Sequence, residues 1–239
     1  MLYDIYMDHV SSATQKRLIK DIKEMMRNPL TDNGIYYTHD EENMLKGYAL
    51  LLGPEDSIYE DGFYFFEFIF PKNYPFSPPK VLFHTGDGVT RFNPNLYRNG
   101  KTCLSILNTW RGESWTSCQS IRTVLLTLIT LFHNKPLLNE PGVYETHRDF
   151  KTYNEMIEYK NFETAILGIL TQIRLPPLFL PFFSIAKKHF LQKYEKIMEK
   201  IDKKGNKSGE FYVSIYNMRF NIDYKDLKIK FTELYAKLK

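Results

Sequence analysis

The spacing of apolar residues near the N-terminus predicts an amphipathic helix over residues 13–28. Ser11 and Ser12 are both candidate N-caps, and Gln15 lies three residues after Ser12, as in a capping box. Pro29 ends the pattern because its ring cannot continue a helix. The apolar positions that recur at helical spacing are Leu18, Ile22, Met25 and Met26.

Four β-prone segments follow and predict an antiparallel meander. The third segment contains FYFFEFIF, in which Glu67 is the only charged residue. Such a run indicates a central strand buried on both faces, and not an aromatic surface on which bases stack. The four segments lie at residues 34–38, 44–52, 62–70 and 80–84, with Gly- and Pro-containing turns between them.

The second half of the chain has mostly helical patterns. A helix over residues 120–133 should be almost wholly buried, because nearly every turn carries aliphatic residues. Another helical pattern begins near Tyr144 and ends at Pro176. Within this second pattern, one predicted apolar face consists of Ile166, Ile169, Leu170 and Ile173.

The last 60 residues or so predict two further helices with an irregular segment between them. The first covers residues 183–201, and the second begins after Asp223, a candidate N-cap, and ends near Lys239. Between them, KKGNKSG has the composition of a flexible linker. The following EFYVSIYNMRF is compatible with a strand or with an extended arm.

Composition indicates an intracellular globular protein, in the cytoplasm or alternatively the nucleus. Of 239 residues, 43% are hydrophobic and 25% are charged, which is ordinary for a folded domain. A net charge of +4 without a dense basic run gives no reason to expect nucleic acid as a partner. No apolar run reaches the roughly 18 residues needed to cross a membrane, and the first ten residues do not resemble a signal peptide.

The two cysteines, Cys103 and Cys118, suit a reducing compartment and lack the spacing of a zinc or redox motif. The six histidines are scattered along the chain, so no metal site is expected. Turn-forming residues precede Cys103, which places this thiol after a rigid loop. A thiolate can attack an acyl carbonyl, and the amide of Asn95 could donate to the oxyanion that develops. Composition alone, however, favours a small buried hydrophobe for a lone cysteine.

Four ordered motifs resolve this ambiguity. They are LLGPEDSIYEDG, FPKNYPFSPPKVLF, NPNLYRNGKTCLSIL, and Trp115 followed by SIRTVLLTLITL. From about residue 13 to residue 142 the chain resembles the ubiquitin-conjugating enzymes. It departs from the usual motif in having Asn93 where the family has His, and four extra residues lie between Cys103 and Trp115. Both departures resemble the larger members that carry a C-terminal extension.

The resemblance implies an α+β ubiquitin-conjugating fold, with the four-stranded meander flanked by helices. The catalytic domain would cover residues 1–160, and a mostly helical extension would cover residues 161–239. The resemblance implies that the family His supports the loop more than the chemistry, so Asn93 in its place affects the support of the loop. The nucleophile itself is present.

The resemblance also implies a mechanism. Cys103 would accept ubiquitin or a related modifier as a thioester from an activating enzyme that consumes ATP. It would pass the modifier to a substrate lysine or to a ligase cysteine, so the protein would be an acyltransferase without a bound cofactor or metal. Asn95 would support the loop and the oxyanion, and Glu140 would orient the incoming lysine. Ser105 stands where relatives often have Asp and is a weaker contributor.

Partner contacts follow from the same resemblance. The positions that bind the activating enzyme and ligases correspond to Lys16, Arg17 and Lys20, which as bare charges would form a solvated face. Ligase contacts correspond to Pro75, Phe76 and Ser117. Cys118, next to Ser117, is predicted to be packed and unreactive.

Three alternatives remain open from sequence. A non-catalytic binding module of the same fold is one, although such modules lack the cysteine that is present here. A cysteine hydrolase is another, with His84 or His133 as its base, although neither lies in a protease motif. The third keeps the chemistry and changes the modifier.

Overall fold

A computed structural model of the protein describes residues 10–239. In chain order its helices and strands are α1 (Ser12–Arg27), β1 (Ile35–His39), β2 (Lys46–Leu52), β3 (Phe63–Ile69), β4 (Lys80–Phe83), α2 (Ile121–Ile129), α3 (Phe150–Lys160), α4 (Phe183–Lys203), β5 (Ser208–Val213), β6 (Met218–Asp223) and α5 (Tyr224–Leu238). A π-helix, Asn161–Gly168, continues α3 without a break, and a 3-10 helix, Pro177–Phe182, precedes α4.

Helix α1 forms where the pattern predicts it, and Ser11, one of the two candidate N-caps, is its cap. The Ser11 side chain accepts a hydrogen bond from the Thr14 N–H at 3.1 Å, and Gln15 donates its side-chain amide to the Val10 carbonyl. The capping box predicted for Ser12 and Gln15 is therefore wrong. One residue earlier, Ser11 satisfies a free N–H of the first turn.

The predicted antiparallel meander is confirmed. The sheet order is β1-β2-β3-β4, and Leu50 pairs with Phe65 in the register of the central strands. Successive side chains of β3 point to opposite faces. Tyr64 stacks on Phe132 at 4.4 Å between ring centroids on one face, whereas Phe65 contacts Phe179 at 4.8 Å on the other. The strand is buried on both faces because the C-terminal part of the chain covers the second face.

Charged contacts attach α4 to the turn that precedes β3. Lys196 and Lys200 bind Glu60 at 2.6 and 2.7 Å, and His189 Nε2 lies 2.9 Å from Asp61 Oδ1. Burial alone would raise the pKa of Asp61, but the hydrogen bond with His189 and the charge of Lys200 outweigh it and lower that pKa. The extension is thus fixed to the core by ion pairs to two buried carboxylates as well as by aromatic packing.

Part of the C-terminal prediction needs correction. For EFYVSIYNMRF the strand alternative is confirmed, and the segment contributes to two antiparallel strands, β5 and β6, that form a hairpin. Residues 203–209 form a tight turn and the start of β5, in which the Gly205 N–H donates to the Asp202 carbonyl, so the predicted flexible linker is wrong. Ile173 is 79% exposed and does not belong to the predicted apolar face.

The remaining helical predictions hold in outline. Helix α2 is shorter than predicted and exposes Thr123, so it is not wholly buried. Asp223 caps α5, since its Oδ1 accepts from the Asp226 N–H at 2.9 Å. Helix α5 packs on α4 through Tyr194 and Tyr235, whose rings stack 3.8 Å apart. None of the helices that the structure describes has the length and apolar character required of a membrane-crossing segment.

Candidate active site

Asn93 holds the loop that leads to Cys103. Its side chain is fully buried. Its Nδ2 donates to the Leu131 carbonyl at 2.9 Å, just beyond α2. Its Oδ1 accepts from the Asn95 N–H at 3.0 Å and from Asn139 Nδ2 at 3.3 Å. A single amide therefore joins three segments, which answers how the loop is supported without the family His.

Asn95 and Cys103 are joined by two hydrogen bonds. The Cys103 N–H donates to the Asn95 carbonyl at 2.9 Å, and Asn95 Nδ2 donates to the Cys103 carbonyl at 2.8 Å. The amide of Asn95 thus orients the backbone of the cysteine, and one of its two N–H protons remains for another acceptor. Its Oδ1 is buried without a hydrogen-bond partner among the described residues.

The residues after Cys103 form a short turn that closes back on it. Ser105 begins a 3-10 turn and is half-buried. Thr109 Oγ1 accepts from the Leu104 N–H at 3.0 Å and lies 3.3 Å from the Thr102 carbonyl. The threonine thus bonds to both neighbours of the cysteine. Sequence reasoning missed Thr109, because its position carries no local signal.

A groove of about 630 Å³ opens between this turn and the loop that follows Glu140. Cys103 is only 2% exposed, so its thiol is shielded from bulk solvent in this conformation. The residues that line the groove are Lys101, Asn108, Thr109, Trp110, Arg111 and Pro141.

Glu140 is not a free loop charge. Its Oε2 accepts a hydrogen bond from the Tyr216 hydroxyl at 2.5 Å. Burial raises the pKa of Tyr216, and the bonded carboxylate raises it further, so the phenol stays protonated and donates. These two residues lie 76 positions apart, and no motif connects them.

Neither candidate histidine serves Cys103 as a base. His84 Nε2 lies 3.1 Å from Glu67 Oε2, and its ring packs on Phe179. His133 Nε2 lies 3.1 Å from Asn139 Oδ1, while its Nδ1 accepts from the Lys135 N–H. Because both imidazoles are engaged elsewhere, the geometry does not support a hydrolase. Among the described residues, no three His, Cys, Asp or Glu side chains converge on a possible metal site.

The family model described as "Ubiquitin-conjugating enzyme" matches residues 17–164, which include the cysteine loop and the meander. The chain belongs to the ubiquitin-conjugating enzyme family. Its fold is the α+β fold that the motifs implied, with a helical C-terminal part beyond the matched region.

Several relatives extend the similarity past the matched domain. The chain is 40% identical over 184 residues to Ubiquitin-conjugating enzyme E2 Z of Danio rerio, covering 75% of this chain and 54% of the relative. It is 35% identical over 230 residues to the protein of that name from Xenopus tropicalis, covering 95% and 67%. Human E2 Z is 40% identical over 183 residues, covering 75% and 50%. The chain therefore spans about half to two thirds of these relatives.

Three residues correspond to positions that contact the activating enzyme in the ubiquitin-conjugating family. They differ in exposure and in their contacts within the chain. Lys16 and Lys20 are exposed on α1. Arg17 instead forms an ion pair with Asp21 at 2.8 Å and donates to the Ser117 carbonyl at 2.5 Å. Arg17 therefore connects α1 to the loop after Trp115, and less of its charge is available to a partner.

The positions that correspond to ligase contacts also differ. Phe76 is 73% exposed, which is unusual for a large aromatic side chain and leaves it free for a partner. Pro75 is buried, and its carbonyl accepts from Trp115 Nε1 at 2.6 Å. Ser117 is exposed, as is Cys118, so the prediction of a packed Cys118 is wrong. The tryptophan occupies the interior of this loop and turns the next residues outward.

Proposed function

We propose that Cys103 carries ubiquitin, or a ubiquitin-like modifier, as a thioester and passes it to a substrate lysine or to a ligase cysteine. The observation that carries the proposal is that Asn95 bonds to both backbone groups of Cys103, its N–H and its carbonyl. Both residues lie within the region that matches the family. Ubiquitin is the first modifier to test, because the relatives are named for ubiquitin conjugation.

Charging and discharge are two acyl transfers. In the first, the Cys103 thiolate attacks the thioester carbonyl on the activating enzyme, a C–S bond forms, and the enzyme's thiolate leaves. In the second, an amine attacks the Cys103 thioester, a C–N bond forms, the C–S bond breaks, and the amine loses a proton. The free N–H of Asn95 is a donor for the oxyanion of either intermediate. ATP is used only by the activating enzyme, so no cofactor is bound here.

The partner surfaces belong to the same proposal. Lys16 and Lys20 would meet the activating enzyme, and Phe76 with Ser117 would meet a ligase. Such partners place the protein inside the cell, in the cytoplasm or the nucleus. Lys16→Glu should slow charging, whereas Lys188→Glu makes the same charge change on an exposed position of α4 and should not.

The deciding experiment is a charging assay with ubiquitin, activating enzyme and ATP. We expect an adduct that thiol reagents remove, that Cys118→Ala retains, and that Cys103→Ala loses. No adduct with ubiquitin or with other modifiers and their activating enzymes would favour a non-catalytic module of the same fold. An adduct that Cys103→Ala retains would disprove the assignment of the nucleophile.

A further inference from the structure

The hairpin turn that joins β5 and β6, residues 214–217, reaches the cysteine loop from the C-terminal part of the chain. Tyr216 is its central contact. The hydroxyl of Tyr216 donates to Glu140, and the Tyr216 carbonyl accepts from Arg98 Nη2 at 2.5 Å. One residue of the hairpin thus contacts the loops on both sides of the candidate site.

The ring of Tyr216 also fixes the residues just before Asn93. The Arg91 guanidinium lies between two rings, 3.8 Å from the centroid of Tyr97 and 4.5 Å from that of Tyr216. Arg91 Nη2 donates to the Pro94 carbonyl at 2.5 Å. Because Pro94 precedes Asn95, Arg91 connects the hairpin turn to the residue that is hydrogen-bonded to Cys103.

The turn itself is firmly attached. Asp149 Oδ2 accepts from Ser214 Oγ at 2.6 Å and from the Ile215 N–H at 2.8 Å. Burial alone would raise the pKa of Asp149, but these hydrogen bonds outweigh it and lower that pKa, so the carboxylate is charged at neutral pH. Tyr153, four residues on, donates to the Arg91 carbonyl at 2.8 Å. The turn that carries Tyr216 is therefore held by Asp149, which is not the carboxylate that Tyr216 binds.

We propose that Tyr216 is a positioning residue for transfer of the modifier from Cys103 to an amine. This inference rests on the proposed function. The phenol binds one oxygen of the Glu140 carboxylate and fixes its direction, which leaves the other oxygen to orient the neutral amine and to take up the proton that the amine nitrogen loses as it attacks the thioester. Charging involves no amine, so it does not need this carboxylate.

The test is Tyr216→Phe, which removes the hydroxyl and keeps the ring that packs on Arg91. Tyr212→Phe is the matched control, because the Tyr212 hydroxyl lies on the same hairpin and contacts Asn217 instead. Each protein is charged with ubiquitin, the activating enzyme is stopped, and discharge is followed over a range of free lysine concentrations. We expect the maximal discharge rate of Tyr216→Phe to fall roughly tenfold, the usual effect of losing a hydrogen bond to a charged group.

A role limited to folding would slow charging as much as discharge, and that result would overturn the proposal. An equal discharge rate in Tyr216→Phe and Tyr212→Phe would overturn it as well. Glu140→Gln provides a second measurement. If the phenol acts through the carboxylate, the double variant should be no slower than the slower single variant, whereas multiplied effects would contradict the coupling. Failure of the unaltered protein to charge would instead refute the proposed function itself.

Discussion

Replacing Asn93 with alanine should destabilise the protein and disturb the cysteine loop. The buried amide makes four hydrogen bonds, and the substitution leaves the Leu131 carbonyl and the Asn95 N–H without partners in the interior. An orphaned buried group costs about 1–3 kcal/mol, so the loss should be about 3 kcal/mol. For a chain of this size that corresponds to a fall of roughly 6–12 °C in melting temperature.

Urea unfolding at 25 °C measures this loss, with the slope of the transition checked for constancy between variants. Asn99→Ala is the matched control, because Asn99 is exposed and only accepts from the nearby Lys101 N–H. It should change the free energy of unfolding by no more than about 0.5 kcal/mol. If Asn93→Ala were as stable as Asn99→Ala, the amide would not hold the loop, and the explanation for the missing family His would be wrong.

Three further predictions concern the extension and the two thiols. Phe179→Ala should lower the free energy of unfolding, measured in urea, by about 3–5 kcal/mol, because it leaves a cavity against Phe65 on the second face of the sheet. Leu180→Ala, at a half-exposed position, should lower it by under about 1 kcal/mol. Asp61→Asn should be less stable than the unaltered protein at pH 6. The difference should shrink as the pH falls below about 4 and through the lowered folded pKa of Asp61, since the unfolded carboxyl titrates near 3.8; a difference that did not shrink once the pH fell below 3.8 would exclude the carboxylate as its source. A maleimide should label the exposed Cys118 before the buried Cys103 in the native, uncharged protein, as peptide mass spectrometry would detect, and the reverse order would contradict the burial of Cys103.

The core was predictable because its signals are local. The aromatic run of β3 is compatible only with a strand that is covered on both faces. Pro29 marks the end of α1 to within two residues. Asp223 was recognisable as a cap because capping depends on residues within one turn. A helix end, a cap or a buried strand can be predicted from the sequence pattern when the residues that determine it lie within a few positions of one another.

The hairpin and its contacts were not predictable in the same way. Its strands are joined by a 3-10 turn that ends at Asn217 with φ 48°, and not by a two-residue Asn-Gly or Asp-Gly turn that a sequence pattern would reveal. The contact between Tyr216 and Glu140 depends on the folded path of the whole chain. Similarly, Gly205 with φ 60° closes a tight turn where composition indicated only flexibility.

The sequence yielded candidate residues for the site but not their hydrogen bonds. Cys103 and Asn95 came from an ordered motif, and Glu140 from the position at which the resemblance implies an acidic residue. That the Asn95 amide bonds to the cysteine's own carbonyl could not be read from the sequence, because an amide at this position has several acceptors within reach. The exposure of Cys118 depends on Trp115 filling the loop from inside, through a bond to Pro75 some 40 residues earlier.

The contact between Arg91 and the hairpin also sets an order of events during synthesis. The chain leaves the ribosome from its N-terminus, and domains generally fold in that direction. The Arg91 N–H donates to Met218 Sδ and its guanidinium packs on Tyr216, both more than 120 residues later. A nascent chain that already contains Cys103 must therefore wait for this late segment before its cysteine loop is complete, so Cys103 and the contacts that support its loop are in place at different times.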